Sequence, residues 1–191
     1  MIDRRMVVLG IGASLSGATL TSQAARADNA ASKMTAYRFS FAALAGEPIR
    51  LADFAGKPVL VVNTASQCGY TPQYTGLQKL WSEFHERGLT IIAVPSNDFN
   101  QEPGIAGDIA EQANKDYGVT FPMTAKAVVT GSNAHPFYRW AAEARPKETP
   151  RWNFHKYLIG RDGYIADVFA SSVEPTDTRV KTAVARLLAN G

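Results

Sequence analysis

Residues 58–94 read PVLVVNTASQCGYTPQYTGLQKLWSEFHERGLTIIAV. The run from Pro58 through Val62 is continuously apolar, the pattern of a strand buried on both faces and therefore central and parallel. Leu77, Leu80, Trp81 and Phe84 then recur at i, i+3, i+4 and i+7, which is one face of an amphipathic helix. Gly88 stops that helix, and Leu89 to Val94 forms a second buried strand ended by Pro95. Strand, helix, strand predicts parallel pairing with a right-handed crossover. Between the first strand and the helix stands Cys68, the only cysteine of the chain. A thiol just before a helix N-terminus meets free N–H groups and the positive end of the helix dipole, which stabilise a thiolate. The competing reading is a small buried hydrophobe, the usual behaviour of a free cysteine.

The flanking sequence extends this unit. Tyr37 to Phe41 alternates apolar and polar, Gly46-Glu47-Pro48 is a turn, and Ile49-Arg50-Leu51 alternates again, so the domain opens with a β-hairpin. After Pro95 comes a loop, Ser96 to Gly104, then a helix from Ile105 to about Asp116 and a strand entry at Phe121-Pro122. Lys126 to Thr130 reads as a short strand, and Pro136 to Ala144 as a helix with proline in its first turn. Phe154–Ile159 and Tyr164–Phe169 flank the hairpin signal Arg161-Asp162-Gly163. Thr176 to Leu188 is an amphipathic helix capped by Thr176 or Asp177. This order predicts an α/β protein of thioredoxin-like fold, with a central mixed sheet flanked by helices and an N-terminal β-hairpin. Its site is expected at the carboxyl ends of the parallel strands, where Cys68 falls.

A chain of 191 residues with 46% hydrophobic composition suits one domain with a single core. The first 27 residues stand apart. Asp3-Arg4-Arg5-Met6 is a basic start, Val7–Leu20 is mildly apolar and rich in small residues, and Ala25-Arg26-Ala27 offers a cleavage site. The paired arginines resemble a twin-arginine export signal, and the apolar stretch also suits the general secretory route. The run is too short and glycine-rich for a spanning helix. Residues 1–27 are therefore read as an export signal, 28–36 as a flexible lead-in and 37–191 as the folded domain, with a periplasmic destination. Removal of residues 1–27 leaves 17 basic and 16 acidic groups, a net charge of +1. No basic stripe with interleaved aromatics remains to suggest a nucleic-acid partner. In an oxidising compartment a lone cysteine cannot close an internal disulfide; it is either buried and inert or reactive.

Three separated segments resemble one family. Asn63-Thr-Ala-Ser-Gln-Cys-Gly-Tyr-Thr71 is similar to the nucleophile segment of the glutathione peroxidases, Pro95-Ser-Asn-Asp-Phe99 with Gln101-Glu-Pro-Gly104 to their second motif, and Trp152-Asn-Phe-His-Lys-Tyr-Leu158 to their third. Gly118-Val-Thr-Phe-Pro-Met123 matches another family stretch, so the resemblance spans the chain after the signal, in order. It implies a thiol-dependent peroxidase without cofactor, in which Cys68 attacks a hydroperoxide and becomes a sulfenic acid. Trp152 and Asn153 are the implied partners, an indole donor and a side-chain amide that stabilise negative charge on sulfur and orient the peroxide. Outside this pattern, Trp152 reads as a core aromatic.

Two departures matter. Where the family's second motif supplies a glutamine, this chain has Asp98, and a carboxylate beside a thiolate opposes its ionisation. Asp98 is kept as a catalytic candidate with three readings: a protonated donor, a carboxylate turned away that leaves Asn97 or Gln67 to help, or a proton acceptor for the thiol. The position of the family's resolving cysteine falls near Ala113, and Ser96 replaces the second motif's own cysteine. An external thiol, glutathione or a thioredoxin-like protein, is then required to reduce Cys68. The segment from Ala144 to Arg151 is short where oligomeric members of the family carry a longer insertion, so the resemblance implies a monomer. The second function carried forward is a peroxide sensor that passes its oxidation to a partner with little turnover. His85, His135 and His155 lack ligand-like spacing. The segment Cys68-Gly-Tyr-Thr71 has no second cysteine for a dithiol exchanger, and Thr64 stands four residues before Cys68 where a peroxiredoxin needs three.

Overall fold

The computed structural model describes residues 34–44 and 46–189. The export signal expected over residues 1–27, and the lead-in as far as residue 33, lie outside the described residues. Residues 34–36, read as lead-in, pack on the domain: Met34 O accepts the Trp140 indole N–H at 3.0 Å, and Ala36 is buried with its N–H on Gly163 O at 2.8 Å.

Strands β1 (Ser40–Phe41) and β2 (Ile49–Arg50) pair antiparallel as the expected hairpin. The main sheet holds β3 (Val59–Thr64), β4 (Thr90–Pro95), β5 (Lys156–Ile159) and β6 (Ile165–Phe169) in the order β4-β3-β5-β6. β3 runs parallel to β4 and antiparallel to β5, and β5 is antiparallel to β6, so the sheet is mixed. Helix α1 (Gln73–Phe84) makes the crossover from β3 to β4; α2 (Ala106–Tyr117), α3 (Pro136–Ala144) and α4 (Thr178–Ala189) complete the thioredoxin-like arrangement.

Every residue of β3 and β4 is buried, so alternate side chains feed two cores. Leu60, Val62, Ile91, Ala93 and Leu158 pack with Leu77 and Leu80 of α1 and Val180 and Val184 of α4. Val59, Val61, Ile92, Val94 and Tyr157 point the other way, onto Phe137, Trp140 and Ala141 of α3 and Phe41 of the hairpin. The chain stops of the sequence hold. Gly88 adopts φ +112° after α1, Gly163 takes φ +81° in the β5–β6 turn, and Asp177 caps α4 by accepting from Arg179 N at 2.9 Å.

Lys126–Thr130 is not a strand. Sheet-like pairing occurs just before it, at isolated bridges of Met123 with Ala93 and Thr124 with Ala43. Beyond Ala127, whose N–H reaches Pro95 O at 2.9 Å, the N–H groups of Val129 and Thr130 turn to the Asp98 carboxylate. With these donors spent on a side chain, the segment has no ladder to join.

Lys156 of β5 is fully buried, and its Nζ donates to Gln73 Oε1 at 2.8 Å and Phe154 O at 2.7 Å. Gln73 Nε2 in turn donates to Ser171 O at 2.7 Å, which pins the first turn of α1 to β5 and to the segment after β6. A neutral amine has enough hydrogens for both bonds. Burial lowers the Lys156 pKa to about 7, against a smaller raising effect of Glu174. Burial also lowers neighbouring His155 to about 4, with the Lys156 charge acting in the same direction.

Both groups bind protons more tightly unfolded than folded, so each favours the fold more as pH rises. His155 acts between about pH 4 and 6.5 and Lys156 between about pH 7 and 10.5. Above pH 10 the buried tyrosines Tyr74, Tyr138 and Tyr157, whose ionisation burial opposes, reverse the trend. Urea unfolding is expected to show stability rising from pH 7 to pH 9 by roughly 1 kcal/mol per pH unit. Lys156→Met should flatten that slope whatever its effect on stability at pH 7. An unchanged slope in the variant would assign the pH dependence elsewhere.

Candidate active site

β3 and β4 end side by side, and Ser96 N donates to Thr64 O at 3.0 Å where they finish. The loops that leave them, 65–72 and 96–104, share that edge of the sheet with residues 152–155, which lead into β5. Each is one of the three sequence motifs. The topology thus gathers what the sequence separates.

Cys68 sits in the turns that precede α1 and is 6% exposed. Its N–H donates to Thr71 Oγ1 at 3.0 Å, and Thr71 N returns a bond to Cys68 O at 2.9 Å. The Thr71 hydroxyl lies 2.7 Å from Cys68 O and 2.9 Å from Ala65 O, so one side chain holds both sides of the turn. The N–H of Tyr70 points at the sulfur, 3.3 Å from Sγ. A main-chain donor is thus aimed at the sulfur, in the turns that lead into α1.

The 96–104 loop clamps the Cys68 loop from the β4 side. Glu102 is fully buried; Oε2 accepts from Ser66 N and Oε1 from Ser66 Oγ, each at 2.7 Å. Gln101 O accepts from Gln67 N at 3.0 Å. Glu102 N donates to Asn97 Oδ1 at 2.9 Å, and Lys126 Nζ reaches Glu102 O at 3.3 Å. From the β5 side, Asn63 acts as the bracket. Its Nδ2 donates to Trp152 O at 3.1 Å, its Oδ1 accepts from His155 N at 3.1 Å, and its O accepts from Phe154 N at 2.6 Å.

Trp152 and Asn153 part company in burial. Trp152 is 40% exposed with its ring against Phe99, centroids 5.4 Å apart, so it is not a core aromatic. Asn153 is fully buried; its Nδ2 donates to Gln101 Oε1 at 3.0 Å and its Oδ1 has no partner among the described residues. The turn inward is made by Phe154, which adopts φ +64°, a left-handed conformation costly for a bulky residue. The Phe154 ring packs edge-on against Tyr74, centroids 5.3 Å apart, and helps hold it there.

Asp98 faces the other way. Its Oδ2 accepts from Val129 N at 2.7 Å, Thr130 N at 2.8 Å and Thr130 Oγ1 at 2.9 Å. Among the described residues no hydrogen bond joins it to Cys68, and of its three readings the geometry matches the carboxylate turned away. Asn97, a suggested substitute, is exposed and spends its Oδ1 on Glu102 N, and Gln67 is exposed and held through its main chain. The residues that composition and periodicity did not single out are Asn63, Thr71, Gln101 and Glu102. All four lie within the quoted motifs, which was the available signal.

A cavity of about 550 Å3 opens beside Tyr70 and Trp152, with the exposed cations Lys147 and Arg151 on its wall and Val168 and Ala170 in its lining. His155 also lines it, with Nε2 buried and unpartnered.

The glutathione peroxidase profile matches residues 36–142. The chain belongs to the glutathione peroxidase family. It is 44% identical over 153 residues to the hydroperoxy fatty acid reductase gpx1 of Synechocystis sp., covering 75% of this chain and 90% of that one. It is 43% identical over 148 residues to a glutathione peroxidase of Lactococcus lactis subsp. cremoris, covering 75% and 94%. Among solved structures, Trgpx in its apo form superposes with a TM-score of 0.67 at 31% identity, covering 82% of this chain and 97% of that one. As a member of that family the chain is an oxidoreductase that reduces peroxides at the expense of a thiol.

The Asp98 geometry makes a distinction that can be measured. Asp98→Ala leaves three donors of the 129–130 segment without their carboxylate, and urea unfolding is expected to register a loss of about 2–3 kcal/mol. Peroxide consumption per folded molecule should change less than about threefold, since each tenfold would need about 1.4 kcal/mol at the reacting centre. A tenfold loss of rate with unchanged stability would put the carboxylate in the chemistry instead.

Proposed function

We propose that Cys68 is the peroxidatic nucleophile and that Trp152 and Asn153 assist it. The observation that carries this reading is the Tyr70 N–H lying 3.3 Å from Sγ, in a turn at the α1 N-terminus and next to the loop that bears both partners. In the first step the Cys68 thiolate attacks one oxygen of the hydroperoxide. The S–O bond forms as the O–O bond breaks, sulfur loses two electrons, and the departing alkoxide takes up a proton and leaves as alcohol, or as water from hydrogen peroxide. Developing charge on the leaving oxygen is where an amide or indole N–H contributes most.

With no second cysteine in the chain, the sulfenic acid is recycled from outside. One external thiol displaces water to form a mixed disulfide with Cys68. A second attacks that disulfide, releasing the oxidised reductant and restoring the thiol. The cavity flanked by Tyr70 and Trp152 carries two cations, Lys147 and Arg151, against one carboxylate, Glu148, and its size and net positive wall favour a small anionic thiol of the glutathione type over a thioredoxin-like protein. The peroxidase acts as a monomer.

Steady-state assays with glutathione and with a thioredoxin-type reductant are expected to show continuous hydroperoxide consumption, faster with glutathione and abolished by Cys68→Ser. Oxidation of one equivalent without turnover under either reductant would replace the enzyme reading with that of a sensor.

The N-terminal pattern supports export as the second part of the proposal, with the mature chain beginning at Asp28 in the periplasm. Fractionation and N-terminal sequencing are expected to recover that chain outside the cytoplasm, and Arg4→Lys with Arg5→Lys to hold it back if the twin-arginine route is used. Recovery of the intact chain from the cytoplasm alone would overturn it.

A further inference from the structure

We infer that Gln101 is a positioning residue, which sets the orientation of the Asn153 amide and supplies the polar support that Asp98 does not give. The inference rests on the proposed role of Asn153 at Cys68.

Asn153 is fully buried, yet only one of its side-chain groups is engaged, through Nδ2 to Gln101 Oε1 at 3.0 Å. Oδ1 is buried and has no partner among the described residues, so among them no other hydrogen bond fixes the orientation of the amide. An acceptor at Gln101 Oε1 matches only the NH2 end of Asn153; the reversed amide would set carbonyl against carbonyl. The second Nδ2 hydrogen and Oδ1 then stay available to the reacting groups.

The same residue grips the nucleophile loop by its main chain. Gln101 O accepts from Gln67 N, next to Cys68, while adjacent Glu102 takes both donors of Ser66. Gln101 is therefore the point where the Cys68 loop and the Asn153 loop are tied to one another. Its backbone is set by Asn100 at φ +56°, a left-handed conformation asparagine tolerates, and by the turn bond from Asn100 N to Asn97 O at 2.9 Å. Asp98, with Oδ2 held by Val129 and Thr130, is directed out of this arrangement.

The test compares Gln101→Met, which keeps the length of the side chain but loses the oxygen, with Gln101→Glu, which can only accept. Stopped-flow oxidation of Cys68 by hydrogen peroxide is read for each at its own pH optimum, so that the added charge of the Glu variant does not confound the comparison. Gln101→Met is expected to slow oxidation about tenfold, below the loss typical of deleting a direct donor, and Gln101→Glu to stay within about threefold of the unsubstituted protein. In side-chain amide NMR spectra of the unsubstituted protein, one Asn153 Nδ2 hydrogen should exchange slowly. In Gln101→Met that signal should shift or quicken while the backbone amides of Leu158 and Val180 keep their protection. Equal slowing in both variants, oxidation of Gln101→Met within about twofold of the unsubstituted protein, or fast exchange of both Asn153 hydrogens before substitution would each overturn the inference. The exchange measurement needs no variant, so poor folding of Gln101→Met does not block the test. Asn153→Ala runs alongside. If it leaves oxidation unchanged, the role of Asn153 falls and the inference with it; if it slows oxidation while Gln101→Met does not, the inference alone falls.

Discussion

The bidentate grip of the Glu102 carboxylate on Ser66 is the interaction on which the rest of this site depends. Cys68 occupies a stretch with no regular structure between a buried strand and a helix, and such a stretch has main-chain donors with no ladder or helix to satisfy them. Glu102 takes the N–H and the hydroxyl of Ser66, Gln101 takes the N–H of Gln67, and Thr71 takes the N–H of Cys68. The donors from 66 to 68 are each assigned, and two positions on, the Tyr70 N–H faces the sulfur. A fully buried carboxylate is costly unless its hydrogen bonds are complete, which is why this residue organises a loop here instead of solvating at the surface.

The fold places that loop by simple means. β3 and β4 are parallel, so their exits lie at the same edge of the sheet, and the antiparallel β5 brings its entry to that edge as well. Asn63, near the end of β3, makes four hydrogen bonds to the main chain between Trp152 and His155 and locks this approach. On the far side of the loop, the buried Lys156 holds Gln73 and so the first turn of α1. Cys68 is thus set by polar groups buried beneath it, while the apolar cores on the two faces of the sheet keep the strands in register.

Strands, helices and their order were legible because they depend on periodicity and on stops such as Gly88, Gly163 and Asp177, which act locally. The failure at Lys126–Thr130 has a different origin. Val128 and Val129 give the segment a strand-like character, but Asp98, some thirty positions earlier, intercepts its donors. A long-range side-chain contact of that kind leaves no local trace. The site divides along the same line. Cys68, Trp152 and Asn153 were legible as residues of a motif, whereas the direction in which each side chain points was not. Trp152 faces outward and Asn153 inward because Phe154 takes a left-handed backbone that its aromatic side chain does nothing to advertise.

The lone cysteine and the open cavity belong to one argument. A peroxidase that resolves its sulfenic acid internally needs a second thiol able to approach the first, which means a mobile segment near the site. Here the residues around Cys68 are fixed from three sides, and no other cysteine exists to move. Reduction must come to the sulfur, so rigidity beneath Cys68 is compatible with turnover only if the side above it admits a thiol. The cavity beside the exposed Trp152 and Tyr70, the residue whose N–H faces the sulfur, is the side the proposed function assigns to that approach.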